Sequence, residues 1–364
     1  MTEGLEQSRT YQWAVVRSQI ESVLVAMGMR AEHAATTAEV MADADLCGVD
    51  THGISLLPGY VELGAATKIT MDATVEVVHR TPSAAVIDAG GGLGYVPSVL
   101  AAELAVEMSR EVGLAGVAVR NSSHFGAAGY YTRLMAAQGI IGMATTSGTA
   151  GRVAPTRGRE PRLSTNPFAF AAPAARNPDF HLDMATSTVA AGKLRIRANE
   201  SLPIPVGWAQ DESGSPLTDP SLYKLGSQFS LTPLGGTEEG SSFKGYGLAV
   251  MVELLSVGLS GASLVTSEGH GTRVPGSMEV GHFFLAIDPT AFRDEGAFQA
   301  VVDDLVDDLH ATAPTDPAFP VLVAGEREDE IRVQRHRDGI PIPPGLHDRL
   351  EDACRTAGAR FLLS

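Results

Sequence analysis

The chain has 364 residues, and 27 Lys and Arg against 43 Asp and Glu give a formal net charge of −16 at pH 7. Basic residues this few and scattered exclude a phosphate-gripping surface, so no nucleic-acid partner is expected, and an acidic membrane surface is equally disfavoured. With 44% apolar and 19% charged residues the chain can bury a substantial core, and its length suits about two domains of ~150 residues each.

From Tyr11 to about Cys47 the residues are mostly Ala, Glu, Met, Leu and Val without proline, which predicts two helices. After the turn-rich Asp50 to Pro58, Ser83 to Asp88 reads as a short buried strand, followed by Gly90, Gly91, Gly92 and Gly94. A helix is expected to begin near Pro97, an early position that suits proline, with Leu100, Leu104 and Met108 inward. Val117 to Val119 reads as the next strand. This order invites the conventional dinucleotide-binding reading, but the third glycine of that fingerprint would fall at Tyr95 and the acid at Asn121, so the spacing fails.

Further on, Ile140 to Thr145, Phe168 to Ala172 and Phe180 to Asp183 read as strands among prolines that break any long helix. A helix from Gly245 through Leu248, Val252, Leu255 and Leu259 is expected to present one apolar face, ending at Gly258 and Gly261. Gly281 to Ile287 reads as a strand. Phe292 to His310 reads as an acidic helix with Phe298, Val302, Leu305 and Leu309 inward, and Asp348 to Ala357 as a last helix. The class is mixed α/β with a mainly helical part, and the boundary is placed near residue 75. No run approaches the roughly 18 apolar residues of a membrane span, and the N-terminus is acidic where a signal peptide would be basic, so no membrane partner and a cytoplasmic location are expected. Cys47 and Cys354 lack CxxC spacing, which leaves neither a disulfide framework nor a thiolate zinc site.

Two histidines stand in polar, glycine-flanked turns, His52 in Asp50-Thr51-His52-Gly53 and His124 in Ser122-Ser123-His124-Phe125-Gly126. An imidazole titrates near neutrality, a neighbouring hydroxyl can fix its tautomer, and glycine lets a substrate approach the backbone, so both are candidates for proton transfer. No HExxH or clustered acidic ligand set appears, so no metal is expected. Ser122 and Ser123 lack a GxSxG elbow, which counts against a hydrolase.

Eight blocks in order carry a family resemblance: DTHGISLLPGY (50–60), VRNSSHFGAAGYY (119–131), STNPFAFAAP (164–173), LDMATSTVAAGK (182–193), IPVGWAQDESGSPLTDP (204–220), PLGG (233–236), FKGYGLAVMVELLSVGLSGA (243–262) and GHFFLAIDP (281–289). On these blocks the chain is identified as a member of the malate/L-lactate dehydrogenases that are unrelated to the Rossmann-type lactate dehydrogenases. That family includes ureidoglycolate, sulfolactate and diketogulonate enzymes and a piperideine-2-carboxylate reductase. The resemblance implies a non-Rossmann NAD(P)-binding α/β domain of the sulfolactate dehydrogenase-like type over residues 76–289. It also implies a mainly helical second domain from residues 1–75, joined by 290–364, and a homodimer.

Residue by residue, the resemblance makes His52 the acid/base, with Thr51 replacing the usual serine and keeping its hydroxyl. His124 matches a histidine given the proton-acceptor role in some members and a cofactor contact in others, so the principal base stays open between the two. Lys193 falls where relatives carry a lysine or an acid near the catalytic centre. Asp183, Met184 and Ala185, then Lys244 and Gly245, then Ala324, Gly325 and Glu326 match segments that contact NAD or NADP, and Thr149 falls near a further one. Lys244 makes physical sense there, because an ammonium at a helix start can meet a diphosphate. Thr165 and Asn166 of the Thr-Asn-Pro block, with Leu56, fall at the substrate. Relatives usually carry arginine where this chain has Leu56, and a guanidinium binds a carboxylate through paired charged hydrogen bonds that leucine lacks. Arg152, Arg157, Arg159 or Arg162 are candidates to replace it.

The expected activity is therefore NAD(P)-dependent interconversion of a 2-hydroxy acid, or a derivative, with its 2-oxo form. Reduction of a cyclic or N-alkyl imine and a non-catalytic ligand-binding paralogue are the alternatives. The choice between NAD and NADP stays open, because the subsite for the adenosine ribose is not located.

Overall fold

The computed structural model describes residues 8–224, 228–266 and 277–364. Its chain order is β1 (Arg9–Tyr11), α1 (Trp13–Ala26), α2 (Ala31–Leu46), α3 (Leu57–Ala65), β2 (Glu76–Arg80), β3 (Ala84–Asp88), α4 (Tyr95–Val112), β4 (Leu114–Ser122), α5 (Ala128–Ala136), β5 (Ile141–Thr146), β6 (Phe168–Ala172) and β7 (Phe180–Met184). Then follow α6 (Ala191–Asn199), β8 (Ala209–Asp211), α7 (Pro220–Lys224), β9 (Phe229–Leu231), α8 (Ser242–Glu253), β10 (Val280–Ile287), α9 (Ala297–His310), α10 (Glu326–Asp338), β11 (Ile340–Ile342) and α11 (Pro344–Ala357).

Seven strands form one mixed sheet in the order β2-β3-β4-β10-β5-β6-β7. Only β3 and β4 run parallel, with α4 as the crossover between them, and every other neighbour pair is antiparallel. A doubly wound nucleotide-binding sheet is mostly parallel, so this topology agrees with the failed glycine fingerprint. Along β10, burial alternates from His282 to Ile287, the period-two pattern of a strand whose two faces meet different surroundings. α4 and α5 pack on the sheet, with Leu104, Met108, Tyr131 and Met135 buried in the main core.

That core continues without a break into α1 and α2 through Val16, Ile20, Leu24, Met41 and Leu46, and into the C-terminal segment through Leu350 and Leu363. β1 pairs antiparallel with β11, and the Tyr11 hydroxyl donates to the Leu363 carbonyl at 2.8 Å, which ties the two ends of the chain together. A second core, with Val153, Leu194, Ile204, Leu217 and Leu231, forms around β8 and β9. Asp43 of α2 accepts from both Arg133 of α5 and Arg332 of α10, joining three helices around one buried carboxylate.

Two expected apolar faces are corrected. On α9, Val302 and Val306 are buried while Leu305 and Leu309 are exposed. The cause is Asp303, whose buried carboxylate accepts from the backbone N–H groups of Ala175, Arg176 and Asn177 at 2.8–3.3 Å and so fixes the rotation of the helix. On α8, Gly245, Ala249, Val252 and Glu253 face inward, leaving Leu248 and Leu259 exposed. Here Glu253 sets the rotation by accepting from Asn166 Nδ2 at 2.5 Å. α8 also passes into a π-helical segment at Leu254–Gly258. The turn-rich stretch after His52 contains α3, and the last helix begins at Pro344, ahead of the expected Asp348.

Candidate active site

His52 lies on the turn that leaves α2, where its N–H donates to the Val49 carbonyl at 2.8 Å and its Nδ1 meets Thr51 Oγ1 at 2.9 Å. The turn is braced from below by Asp45, which is buried and accepts from the Ile54 N–H at 2.8 Å. Arg335 of α10 donates to the Asp45 carbonyl at 2.5 Å and pairs with the Asp50 carboxylate, which clamps the turn from the C-terminal side. Burial pushes the Asp45 carboxyl well above the usual range and holds His52 below the ordinary imidazole value, so His52 is neutral at pH 7.

His124 sits on the loop from β4 to α5, just after Asn121 near the end of β4, which has φ 49°. Its ring stacks on that of His52, with centroids 5.5 Å apart and planes 28° from parallel. His124 Nδ1 meets the Tyr60 hydroxyl at 2.8 Å and accepts from the Gly126 N–H at 3.3 Å, and the Tyr60 hydroxyl meets that of Tyr95 at 2.8 Å. Burial, then the neighbouring His52, lower the His124 pKa to about 3. Behind the loop, Phe125 stacks on His282 at 4.5 Å, and His282 is held between Ser122 Oγ at 2.8 Å and Thr146 Oγ1 at 2.7 Å. Burial drops His282 to about 3 as well, so it braces the loop as a neutral ring.

The segments expected at the cofactor converge on β7, which ends the sheet. At one end the His181 N–H donates to the Ala324 carbonyl at 3.2 Å, and Gly325, at φ 103°, lies so close that a Cβ would stand 2.8 Å from the His181 Cβ. At the other end the Leu234 N–H donates to Thr186 at 2.8 Å, and Gly245 packs on Leu234, where a Cβ would stand 2.4 Å from its carbonyl oxygen. Asp183, Met184 and Ala185 lie between these contacts, and Asp183 Oδ2 accepts from the Gly129 N–H at 2.7 Å at the start of α5. The same helix start follows directly on the His124 loop, so Asp183 couples the histidine pair to the sheet edge. His181 Nδ1 is buried there without a hydrogen-bond partner among the described residues, at the Ala324–Gly325 end. An edge strand and a buried polar atom unpaired among the described residues fit an extended dinucleotide.

Lys244 is exposed in the first turn of α8 and Thr149 is exposed on the loop after β5. The Thr165 carbonyl accepts from Thr186 N–H and Oγ1, and Asn166 is fully buried on Glu253, whose carboxyl burial holds above the ordinary value. Glu326 is engaged on both oxygens, with the Val323 N–H at 2.8 Å and His310 Nε2 at 2.7 Å, so it serves first as a brace for α10. Lys193 is exposed on α6 with its ammonium 6.0 Å from the Trp208 ring centre. Leu56 is half-buried and packed on the main core. Of the arginines proposed to replace its missing charge, Arg157 pairs with Glu238 and Arg162 with Glu160. Among the described residues, no three His, Cys, Asp or Glu side chains are grouped to hold a metal.

Sequence reasoning missed Asp45, Tyr60, Tyr95 and His282. Tyr60 and His282 lay inside recognised blocks but carried no spacing signal, and Tyr95 was noted only as the residue that spoils a glycine fingerprint.

A family model described as malate/L-lactate dehydrogenase matches residues 11–351. The chain is 36% identical to the L-sulfolactate dehydrogenase of Methanocaldococcus jannaschii over 345 residues, covering 93% of this chain and 94% of that protein. The solved structure of sulfolactate dehydrogenase from the same organism superposes with a TM-score of 0.86, covering 97% of this chain and 98% of that one at 35% identity. The (2R)-3-sulfolactate dehydrogenase (NADP(+)) of Chromohalobacter salexigens is 35% identical, over 90% of this chain and 93% of that protein. The chain belongs to the malate/L-lactate dehydrogenase family.

Proposed function

We propose that this dehydrogenase interconverts a 2-hydroxy acid and its 2-oxo form with NAD or NADP at the stacked His52–His124 pair. The observation that carries the reading is that pair itself: two neutral imidazoles, one braced by Thr51 and one by Tyr60, joined through α5 to the edge strand that carries Asp183. A bound nicotinamide supplies or accepts the hydride. Asp183, Met184, Ala185, Lys244, Gly245, Ala324, Gly325 and Thr149 are assigned to holding it, and Thr165, Asn166 and Leu56 to the substrate. Glu326 supports the loop at the Ala324–Gly325 end. Lys193 is assigned a place near the catalytic centre on the resemblance alone.

Oxidation of a hydroxyl carbon needs a group to remove the oxygen's proton as hydride leaves, and reduction needs the same proton returned. One histidine of the pair does this: burial keeps both neutral, and so one is ready to accept in the oxidative direction. Tyr60 and Phe125 are buried beside His124, whose own ring is partly exposed.

Residues 1–75 with 290–364 are read as the helical part and 76–289 as the nucleotide-binding part, supported by the β1–β11 pairing and the packing of α11 on α1 and α3. A homodimer is supported by the bare apolar side chains of α8 and the π-helical turn after it, where Phe243, Leu254 and Leu259 are more than half exposed. A cytoplasmic location is in keeping with two free cysteines and with the described residues, in which no helix is long and apolar enough to cross a membrane. The test is His52→Ala: cofactor affinity measured by fluorescence titration is expected to hold while kcat falls by about a hundredfold or more. Equal loss of both would remove His52 from the proton-transfer role.

A further inference from the structure

The hydrogen bonds behind His124 fix where its proton sits. Tyr95 and Tyr60 are buried, and burial pushes both phenols above their ordinary value, so each keeps its proton at neutral pH. The chain Tyr95–Tyr60–His124 thus has two hydroxyl protons for two hydrogen bonds. Tyr95 has no other hydrogen-bond partner among the described residues, so its proton can go only to Tyr60. Tyr60 must then donate to His124 Nδ1. The reverse direction would strand the Tyr95 proton unpaired in a buried site, which is unfavourable. The Gly126 backbone N–H also points at Nδ1, and a backbone N–H can only donate. Two donors therefore converge on Nδ1, and the ring proton must lie on Nε2.

We infer that His124 is locked as the neutral Nε2–H tautomer, a hydrogen-bond donor to the substrate oxygen, and that Tyr60 and Tyr95 are its positioning residues while His52 alone transfers the proton. A ring whose Nε2 already carries hydrogen has no lone pair there to take the substrate's proton, and its Nδ1 lone pair is engaged by Tyr60 and Gly126. His52 is free to act because Thr51 Oγ1 can accept from its Nδ1–H, leaving Nε2 bare. In oxidation the substrate O–H bond breaks with its proton passing to His52 Nε2, the C–H electron pair leaves as hydride to the nicotinamide, and C=O forms. In reduction the hydride adds to the carbonyl carbon and the oxygen takes its proton from His52. His124 loses no proton in either direction and stabilises the charge that develops on that oxygen.

The inference rests on the dehydrogenase reading for what His124 donates to, but its tautomer can be read without substrate. The experiment is ring-nitrogen NMR of full-length protein labelled with 15N histidine, with the His124 signals identified by their loss in His124→Asn. The expected result is an unprotonated Nδ1 and a protonated Nε2 from about pH 5 to pH 9, while His52 titrates. Tyr60→Phe leaves only the longer Gly126 bond on Nδ1, so the Nδ1-protonated form should become populated, and kcat should fall about 10- to 100-fold with the KM for cofactor unchanged. A protonated Nδ1 on His124 in the unmodified protein would overturn the inference. So would an unaltered ring signature in a folded Tyr60→Phe protein. Correct tautomers with no turnover on any hydroxy acid would instead count against the dehydrogenase reading alone.

Discussion

Gly53 lies directly on the Asp45 carboxylate: a Cβ at Gly53 would stand 1.9 Å from Asp45 Oδ1. Its φ is negative, −95°, and what a side chain would lack there is the space that the Asp45 carboxylate fills. Asp45 in turn accepts from Ile54 N–H and so sets the exit of the turn that carries His52. Gly53→Ala is therefore expected to displace the turn, costing about 1–3 kcal/mol of stability and lowering kcat more than cofactor affinity. Urea unfolding together with steady-state kinetics checks both parts, and an unchanged kcat would mean that the turn does not position His52.

The pH dependence has a definite sign. Burial lowers the His52 pKa, so its bare Nε2 is available above a value that lies below the ordinary 6.5. Oxidation of the hydroxy acid should lose kcat/KM as pH falls through that value, and reduction should lose it as pH rises through the same value. Initial rates in both directions across pH should give mirror-image limbs, and two limbs of the same sign would mean that another group carries the proton.

Leu56 stands where a carboxylate-binding arginine is expected, and it rests half-buried against the core. Two of the four candidate arginines are engaged in ion pairs with Glu238 and Glu160, which leaves Arg152 and Arg159 of the four. Leu56→Arg should raise kcat/KM for small 2-oxo acids such as oxaloacetate by about tenfold or more, the effect of one well-placed charged hydrogen bond. No gain over pyruvate amide, used as the uncharged control, would mean that the carboxylate is held elsewhere.

The fold class and the two histidines were legible because both rest on local signals: apolar runs between turn residues, and polar turns with fixed blocks around them. The rotation of α8 and α9 was not legible. Each helix carries two adjacent apolar stripes, and periodicity cannot choose between them; the choice is made by Glu253 on Asn166 and by Asp303 on the backbone of residues 175–177. These are contacts between residues 87 and about 127 positions apart, beyond the reach of any spacing rule. Tyr60 and Tyr95 were illegible for the same reason. Their roles exist only once α3 and α4 bring the two phenols together behind His124.

The central claim is hydride transfer between a nicotinamide and the carbon of a 2-oxo acid. It is tested most directly by following oxidation of NADH and NADPH by the purified protein against a panel of 2-oxo acids, their esters and their amides, with and without methylamine, beside His52→Ala. The account predicts turnover with at least one 2-oxo acid in the absence of amine, lost in His52→Ala. Turnover only in the presence of methylamine, or none with any 2-oxo compound despite cofactor binding, would contradict it.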